Sequence, residues 1–500
     1  MKNVRIMKSL LCLVLAILMM FSAVSCFGKK DEPQGTESNN ANTDDPASGE
    51  LSDEEFYKPE KKDYNRELTF MTDIPAFMGV NENYKDGDGT VLDDAVYRRA
   101  QLMANEFGVD VVVKTGTEAE YSTYVTTGQY ACDCLVMMAQ STFRLVLQDL
   151  MVDLATLNNL NLQAPYWDQR IQTDYAVGDR IFCLEGDFSY YDEYRTMTVL
   201  FNDKLYTDYG YYETYGSPYS LVKNGTWTMD NMLTMADGLY RDLNDDGHRD
   251  EFDQYGIIGA LNIQWNFFLA SGLKTIEVKD GELTLNIKSD GYYNQVYDVF
   301  DNVMTKFTGD DDIIYPHHLH DLSTDKWAAA SNIFENNQAL FRMTTLSAAS
   351  RLGNMATKFG VLPFPAYTEG GDYYGWLPGD SHNPLSMART VENREETAAI
   401  LDAFCYYSRY GANTLYDAYF ESFRISKFCE NEEDLEMMNL VIETKCYDLD
   451  FVANITGFSS EIWSMARNEN ISTLASTLTA KRNSASGAMD EFILRIMSLG

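Results

Sequence analysis

The residues best able to hold a metal ion lie in an acidic loop between positions 242 and 253. Its oxygen-bearing residues match positions 1, 3, 5, 7, 9 and 12 of a calcium loop: Asp242, Asn244, Asp246, His248 through its carbonyl, Asp250 and Asp253. Calcium takes roughly six to eight hard oxygens, and Gly247 permits the sharp turn that wraps them around one ion. The spacing predicts a structural calcium site. The alternative is a solvated acidic turn.

No pattern in the sequence indicates catalytic chemistry. His317, His318 and His320 stand together, but no carboxylate or cysteine follows at zinc-ligand spacing, so a polar loop is the preferred interpretation. There is no phosphate-binding glycine loop, nucleophile elbow or zinc-hydrolase helix motif. Because 76 Asp and Glu residues guarantee some pair at glycosidase spacing, carboxylates alone indicate nothing. We therefore predict a protein that is not an enzyme.

The N-terminal segment has the features of an export signal. Residues 1–25 combine three basic residues with the apolar run Leu10–Phe21, which is too short to span a bilayer comfortably. Ala23–Cys26 resembles a bacterial lipobox, in which the cysteine receives a diacylglycerol. Residues 26–58 are rich in Asp, Glu, Asn, Ser, Gly and Pro, which predicts a flexible tether. The sequence thus predicts an exported lipoprotein on the outer face of the bacterial cytoplasmic membrane, anchored only by lipid on Cys26.

The net charge limits the partners that we expect, and the cysteine positions limit the disulfide bonds. A formal net charge of -37 repels nucleic acid and anionic lipid headgroups, so neither is expected as a partner. Cys132 and Cys134, as strand residues two apart, would have Cα atoms about 6.5–7 Å from each other. That separation favours buried free thiols over a disulfide bond. The state of four further cysteines stays open: Cys183, Cys405, Cys429 and Cys446.

The elements of the first half alternate between strands and helices. Apolar residues recur at helical spacing from Leu92 to Phe107, and Gly108 follows as a stop. Strands are predicted on either side at Glu67–Met71, Val109–Val113 and Cys132–Met138, the last nearly continuous in apolar residues. Continuous strands separated by helices predict an α/β fold with a buried parallel sheet.

Thr196–Phe201 reads as another strand of the first unit. A second α/β unit follows, with a helix predicted from Met229 to Tyr240 and a strand at Gly256–Gly259 after the acidic loop. Phe334–Met343 contains a helix end and a strand, and Phe359–Pro365 is a strand stopped by prolines. Helical segments dominate from about Arg394 onward.

Four landmarks in this order resemble the family 1 extracellular solute-binding proteins, which include the maltodextrin-binding proteins. They are Thr226–Trp227 at a helix start, Asp242–Gly247 leading to Tyr255–Gly256, the segment Phe334–Phe341, and Phe359–Pro363. The resemblance extends from about residue 66 to residue 500.

The resemblance implies a two-lobed, type II periplasmic-binding-protein fold whose lobes are joined by crossing strands. The first crossing is expected near Val199–Asn202 and the return near Gly360–Pro363. Lobe 1 would then contain residues 59–200 and 362–440, and lobe 2 residues 201–361 and 441–500. A ligand would be captured by hinge closure and delivered to the permease subunits of an ABC transporter. The family is expected to act as a monomer.

A carbohydrate is the ligand that the resemblance favours, since a pyranose ring packs on aromatic faces while its hydroxyls bind polar edges. Ligands of doubly wound sheets meet loops at the carboxyl ends of strands. The candidate ligand-binding residues follow predicted strands or flank the crossings: Asp73, Phe77, Gln140, Ser141, Asp187, Tyr190, Tyr191, Trp265, Asn266, Thr344, Trp376, Asp380 and His382. Trp463 stands where maltodextrin-binding relatives carry a stacking aromatic residue, so we add it. For each aromatic residue, core packing is the alternative, and Trp227 is assigned to the core.

Three other hypotheses remain open. A secreted, lipid-anchored glycoside hydrolase would form products from glycans, and an adhesive surface lipoprotein would show no ligand-induced closure. A non-sugar solute is the third alternative. The negative net charge argues against anionic ligands unless a local basic pocket exists, for which four arginines are candidates: Arg144, Arg195, Arg342 and Arg351.

Overall fold

A computed structural model describes residues 52–74, 89–260, 263–319, 325–352, 355–377, 382–425, 431–468 and 470–500. Within these ranges the strands, in chain order, are β1 Arg66–Thr72, β2 Val109–Thr115, β3 Cys134–Val136, β4 Met197–Asn202, β5 Tyr255–Ile258, β6 Ile276–Lys279, β7 Glu282–Leu285, β8 Ile313–Ile314, β9 Ala339–Thr345, β10 Phe359–Pro363, β11 Gly375–Trp376, β12 Leu385–Met387 and β13 Lys445–Cys446. They form two main sheets and two strand pairs.

The first sheet has four strands in the order β12-β3-β1-β2, with β1, β2 and β3 parallel and β12 antiparallel to β3. The strand predicted over Cys132–Met138 is shorter than expected because Asp133 interrupts it. Its carboxylate accepts hydrogen bonds from Arg66 Nη2 at 2.6 Å and from the Thr69 amide at 2.9 Å. A charged side chain therefore ties β1 to the start of β3.

Several helices accompany this sheet and form the first body with it. Up to β4 they are Asp53–Phe56, Val91–Phe107, Glu118–Thr126, Ala139–Leu147, the 3₁₀ turn Leu154–Thr156, Gln169–Asp174 and Tyr191–Arg195. The helix predicted from Leu92 to Phe107 is confirmed, with a Thr90–Asp93 capping box and left-handed Gly108 at its end. Asp53–Phe56 lies inside the predicted tether, and Tyr406 Oη donates to Glu54 O at 2.8 Å, so this stretch is packed on the body.

The second sheet has five strands in the order β10-β4-β9-β5-β8. β5, β8 and β9 are parallel, while β4 runs antiparallel to both β9 and β10. This sheet is therefore mixed, as is the first sheet, for which the sequence predicted a parallel arrangement. The antiparallel strands arise because β4 enters this sheet from the first body and lies between β9 and β10.

Further helices accompany the five-stranded sheet and form the second body with it. They are Asp203–Asp208, Tyr211–Tyr215, Pro218–Lys223, Met229–Ala236, Ile263–Ala270, Asp290–Phe307, Lys326–Glu335 and Ser347–Ser350, with 3₁₀ turns at Asn286–Lys288 and Pro316–His318. The helix predicted to reach Tyr240 stops at Ala236, because Gly238 takes a left-handed conformation and Arg241 pairs with Gln254.

The crossing between the sheets involves three segments. β4 and β10 pair over Asn202↔Phe359 to Thr198↔Pro363, so the strand expected to return to the first lobe stays in the second sheet. The next strand of the first sheet is β12, which moves the return beyond Trp376. β11 pairs with β13, and a Cβ on Gly375 would lie 2.8 Å from Thr196 Cγ2 and 2.5 Å from Thr444 Oγ1. Three chain segments therefore meet beside the start of β4.

The remaining helices pack on both bodies. They are Arg394–Arg409, Leu415–Ile425, Glu432–Glu443, Leu449–Ala453, Phe458–Arg467 and Leu474–Met497. Although residues 441–500 were assigned to lobe 2, Arg180 Nη1 donates to Leu499 O at 2.8 Å and Arg495 Nε donates to Leu147 O at 2.7 Å. The last helix thus also contacts the first body. In the described ranges, no helix combines the length and apolarity needed to cross a membrane.

The cysteines of the described chain are all free and buried: Cys132, Cys134, Cys183, Cys405 and Cys446. The prediction of free thiols for the first two is confirmed. Cys429, together with Cys26 and the predicted leader, lies outside the described residues.

Candidate functional site

Three of the predicted aromatic residues pack against one another. The Trp376 ring centroid lies 5.9 Å from that of Trp265 and 5.5 Å from that of Trp463, both edge to face. Phe451, for which the sequence offered no signal, lies 5.3 Å from Trp265 and 5.4 Å from Trp463. Trp265 and Trp376 are 0% and 3% exposed, whereas Trp463 is half-buried. Trp463 lies in the middle of the helix Phe458–Arg467, although the sequence resemblance placed it at a helix start. Stacking of these rings on a ligand stays a prediction.

Two polar atoms beside the aromatic cluster have no partner. Trp265 Nε1 and Asn266 Oδ1 are buried and make no hydrogen bond in the described part of the chain. An unpaired buried donor or acceptor costs about 1–3 kcal/mol, so a hydroxyl group reaching them would be strongly favoured. Both residues were predicted to bind ligand, and their unmet hydrogen bonds suit that role.

Another group of predicted residues lies at the carboxyl end of the first sheet. Asn383 Nδ2 donates to Asp73 Oδ1 at 2.8 Å, and the Ala139 amide donates to His382 O at 3.0 Å. Gln140 is half-buried in the first turn of the same helix as Ala139. Asp73, Gln140 and the segment around His382 are therefore neighbours, as expected for loops at one edge of a sheet.

Ser141 and His382 are engaged with protein groups. Ser141 Oγ accepts from Arg144 Nη2 at 2.8 Å. His382 is 0% exposed, with Nε2 2.9 Å from Tyr175 Oη and Nδ1 3.1 Å from Glu185 Oε1. Burial lowers the pKa of His382 to about 4, so the ring is neutral at pH 7. Because it is enclosed, this side chain does not offer a hydrogen-bonding edge to solvent.

The residues predicted before the first crossing form part of the core. Asp187 pairs with Arg409 Nη1 at 2.9 Å and accepts from Tyr190 Oη at 3.1 Å. The Tyr190 ring stacks on Tyr419 at a centroid distance of 4.6 Å. Burial raises the pKa of Asp187 to about 6, against the opposing effect of Arg409. Tyr191 is half-buried, so it alone of these three retains partial exposure.

Thr344 lies in β9, opposite Thr198 of β4, and is half-buried. It therefore stands beside the strand that crosses between the bodies. Phe77 and Asp380 lie outside the described residues, as does His320.

A buried ionic cluster at the crossing was missed by sequence reasoning. Lys445 Nζ lies 2.7 Å from Asp192, 2.8 Å from Asp168 and 3.0 Å from Glu193, and its side chain is 8% exposed. Burial lowers the pKa of Lys445, but the three carboxylates outweigh it and the pKa lies well above its usual value. A cavity of about 210 Å³ borders the cluster. No local spacing signals this group, since its members are joined only by the fold.

Carboxylates of the acidic loop accept hydrogen bonds from backbone amides of the same loop. Asp242 Oδ2 accepts from the Gly247 amide at 2.9 Å, and Asp246 Oδ1 accepts from the His248 amide at 2.8 Å. Asn244 Nδ2 donates to Asp246 and to Asp250 Oδ2, at 3.0 and 3.2 Å. Asp242 Oδ1 is buried without a hydrogen-bond partner. Across the described ranges, no three His, Cys, Asp or Glu side chains converge in metal-holding geometry.

Similarity to solved structures extends over most of the chain. It covers 85% of this chain and 99% of the ABC substrate-binding protein Lmo0181 from Listeria monocytogenes in complex with cycloalternan, with 13% identity and a TM-score of 0.52. A cyclo/maltodextrin-binding protein complexed with maltotetraose matches over 85% of this chain and 97% of its own, with 13% identity and a TM-score of 0.53.

A third solved structure gives the same picture. The maltose/maltodextrin-binding domain MalE from Bdellovibrio bacteriovorus, bound to maltotriose, matches over 85% of this chain and 99% of its own, with 11% identity and a TM-score of 0.51. No protein-family model and no curated protein matches the chain in sequence. The chain therefore shares the two-lobed α/β fold of these binding proteins, as the sequence landmarks predicted.

Proposed function

We propose that this protein is the solute-binding component of an ABC importer, which captures a carbohydrate between two lobes and delivers it to a membrane permease. The observation that carries the proposal is a fold match over 85% of the chain to three sugar-bound proteins. The start of β4, where three chain segments meet beside the crossing, is where we expect the hinge that lobe closure requires.

The same proposal places the protein outside the cytoplasm. The lipobox Ala23–Cys26 would attach it to the outer face of the membrane, and its partners would be the carbohydrate and the permease subunits. We propose that it acts as a monomer, as the sequence resemblance implies. We also propose that it binds its ligand without altering it, which is supported by the similar solved structures being binding proteins.

A thermal-shift screen of the full chain against a glycan panel tests the function. A ligand present at about 100 times its dissociation constant adds about 2.7 kcal/mol of stability, which raises the melting temperature visibly. We expect a selective shift with one class of oligosaccharide, and unchanged glycan when the mixture is analysed by chromatography. Hydrolysis products would instead indicate a glycoside hydrolase. A flat response to every glycan would contradict the proposal.

We further propose that the loop between residues 242 and 253 binds calcium as a structural clip. What supports this is the ligand spacing together with the unpartnered buried oxygen Asp242 Oδ1. A half-turn of the Asn244 amide would bring Oδ1 to the place from which Nδ2 now donates to two carboxylates. Calcium would then replace these hydrogen bonds and hold the turn that precedes β5.

Chelation tests the calcium proposal. EDTA should lower the melting temperature, and added calcium should restore it, because metal bound only by the folded loop stabilises the fold. Asp242→Asn should abolish the response. Asp245→Asn is the matched control, since it removes the same charge from a loop position whose side chain is not a predicted ligand. Equal melting temperatures with EDTA and with calcium would show that the loop is a solvated turn.

A further inference from the structure

One of the four candidate arginines lies in an apolar row of the second sheet. Arg342 of β9 is in register with Leu200 of β4 and with Ile258 of β5. Leu200 pairs with Val361 of β10, and Ile258 pairs with Ile314 of β8. Residues opposite each other on neighbouring strands project to the same face. Arg342 is thus the single charged member of a row that crosses all five strands.

Within the described residues, no carboxylate lies in ion-pair contact with the guanidinium of Arg342. The residue is 6% exposed, Nη1 is buried without a hydrogen-bond partner, and no ion pair forms within the described part of the chain. Burial lowers its pKa to about 10, Glu335 opposes this at longer range and Arg351 adds to it, so the side chain remains charged at pH 7. Buried charges in proteins are normally paired, because desolvation of a lone charge costs several kcal/mol. An anion bound to the guanidinium would offset this desolvation cost.

Arg342 lies at the level of the sheet edge where α/β proteins bind their ligands. Ile258 and Ile314 are the last residues of β5 and β8, so Arg342 lies level with the carboxyl ends of two parallel strands. Ligands of α/β sheets bind outside this edge. Thr344, two residues further along β9, pairs with Thr198 at the start of the crossing strand. Rotation of the lobes at this point would change access to the same edge.

Other groups at this edge suit an anionic sugar. The Tyr315 ring follows β8 directly, and it approaches so closely that a Cβ on Gly259 would lie 2.6 Å from it. Arg351 is exposed and near enough to Arg342 to lower its pKa, so both contribute positive potential. Arg144, by contrast, is paired with Glu118 at 2.6 Å and is not available. Arg195 and Arg351 also form no ion pair in the described part of the chain, and Arg195 Nε is buried without a hydrogen-bond partner. Arg342 is the most deeply buried of the four candidate arginines.

We propose that Arg342 binds an oxyanion group on the captured carbohydrate, so that the ligand is an acidic oligosaccharide with a uronate carboxylate or a sulfate ester. This inference rests on the proposed function and specifies its ligand. The planar fork of a guanidinium binds carboxylate or sulfate oxygens through two parallel hydrogen bonds, which discriminates against the neutral sugar. The net charge of -37 repels polyanions and favours glycans with few acidic groups.

Titration of the full chain with matched glycan pairs tests the inference. One pair is an oligogalacturonide and its methyl ester, and the other is a galactan oligosaccharide with and without sulfate esters, with maltotetraose as a neutral reference. We expect one acidic member to bind at least tenfold more tightly than its neutral counterpart. The arm in which this occurs identifies the oxyanion as carboxylate or sulfate.

Variants connect the preference to Arg342. Arg342→Met should remove the preference for the acidic member without lowering the melting temperature of the free protein, since no ion pair is lost. Arg342→Lys keeps the charge but not the fork, and should retain only part of the preference; it also serves if the Met variant fails to fold. Arg482→Met is the matched control, because Arg482 pairs with Asp290 and neither residue is a candidate ligand residue, and it should leave the affinity unchanged.

The possible results separate the two proposals. Tight binding of a neutral glycan, equal in the native protein and in Arg342→Met, would overturn the inference and leave the proposed function standing. An acidic preference that survives in Arg342→Met would also overturn it. If no acidic or neutral glycan binds, the proposed function fails and the inference fails with it.

Discussion

Two buried cations near the junction of the two sheets differ in the number of carboxylates that contact them. Lys445 at the crossing has three carboxylates within 3.0 Å of its ammonium, whereas Arg342 in the second sheet has none in ion-pair contact in the described chain. Both are almost fully enclosed. The difference indicates that one charge is satisfied by the fold and stabilises it, while the other is left for a group that the protein does not supply.

The largest expected effect is the loss of the paired cation. Lys445→Met leaves Asp168, Asp192 and Glu193 buried without a counter-charge, and we expect it to lower the free energy of unfolding by about 3–5 kcal/mol. Urea titration at pH 7 measures this. Arg342→Met removes a cation of similar burial and should cost nothing. Equal losses in the two variants would show that the comparison is wrong.

An intermediate effect is expected from the neutral imidazole beside the Lys445 cluster. The pKa of His382 is about 4 in the folded protein and 6.5 ordinarily, so the unfolded chain takes up a proton first as the pH falls. The folded state should therefore lose up to about 3 kcal/mol through this group between pH 6.5 and pH 4, with its full contribution present above pH 6.5.

His382→Gln isolates that contribution, because glutamine keeps hydrogen-bonding capacity but does not titrate. The difference in unfolding free energy between the native protein and the variant should change across pH 6.5–4 and stay constant above pH 6.5. Urea titrations at several pH values supply the comparison. A difference that is constant down to pH 4 would mean that the ring is protonated or solvent-exposed in the folded protein.

The smallest effect is expected from an exposed ion pair. Arg144 is paired with Glu118 at 2.6 Å, but its side chain is 54% exposed. Arg144→Met should change the free energy of unfolding by less than about 1 kcal/mol, because solvent screens the pair. Urea titration beside Lys445→Met would separate pairing from burial. A loss as large as that of Lys445→Met would show that burial does not set the scale.

Sequence patterns could predict elements whose determinants are local. The helix from Val91 to Phe107 follows from apolar spacing and Gly108, and β1 and β2 lie where short strands were predicted. The landmarks also predicted the two-lobed α/β fold that the solved structures share. The return of the chain could not be placed, because β11 has two residues and is fixed only by pairing with β13.

Candidate ligand residues were predicted by type and position, and burial decides between their roles. Trp265, Trp376 and Trp463 do meet, although nothing in sequence indicated that Phe451 lies among them. His382 looked like a polar residue on an open loop, yet Tyr175 and the Glu185 carboxyl enclose it. Contacts between residues about 200 positions apart carry no signal in a single sequence.

The buried thiols have a practical consequence for measuring motion. Burial raises the pKa of the thiols of Cys183, Cys405 and Cys446, which keeps them protonated and unreactive. Maleimide dyes should therefore leave them unlabelled and react with cysteines introduced at exposed positions such as Thr126 and Glu213. A donor and an acceptor fluorophore at these two positions would report the distance between the bodies molecule by molecule, with and without sugar.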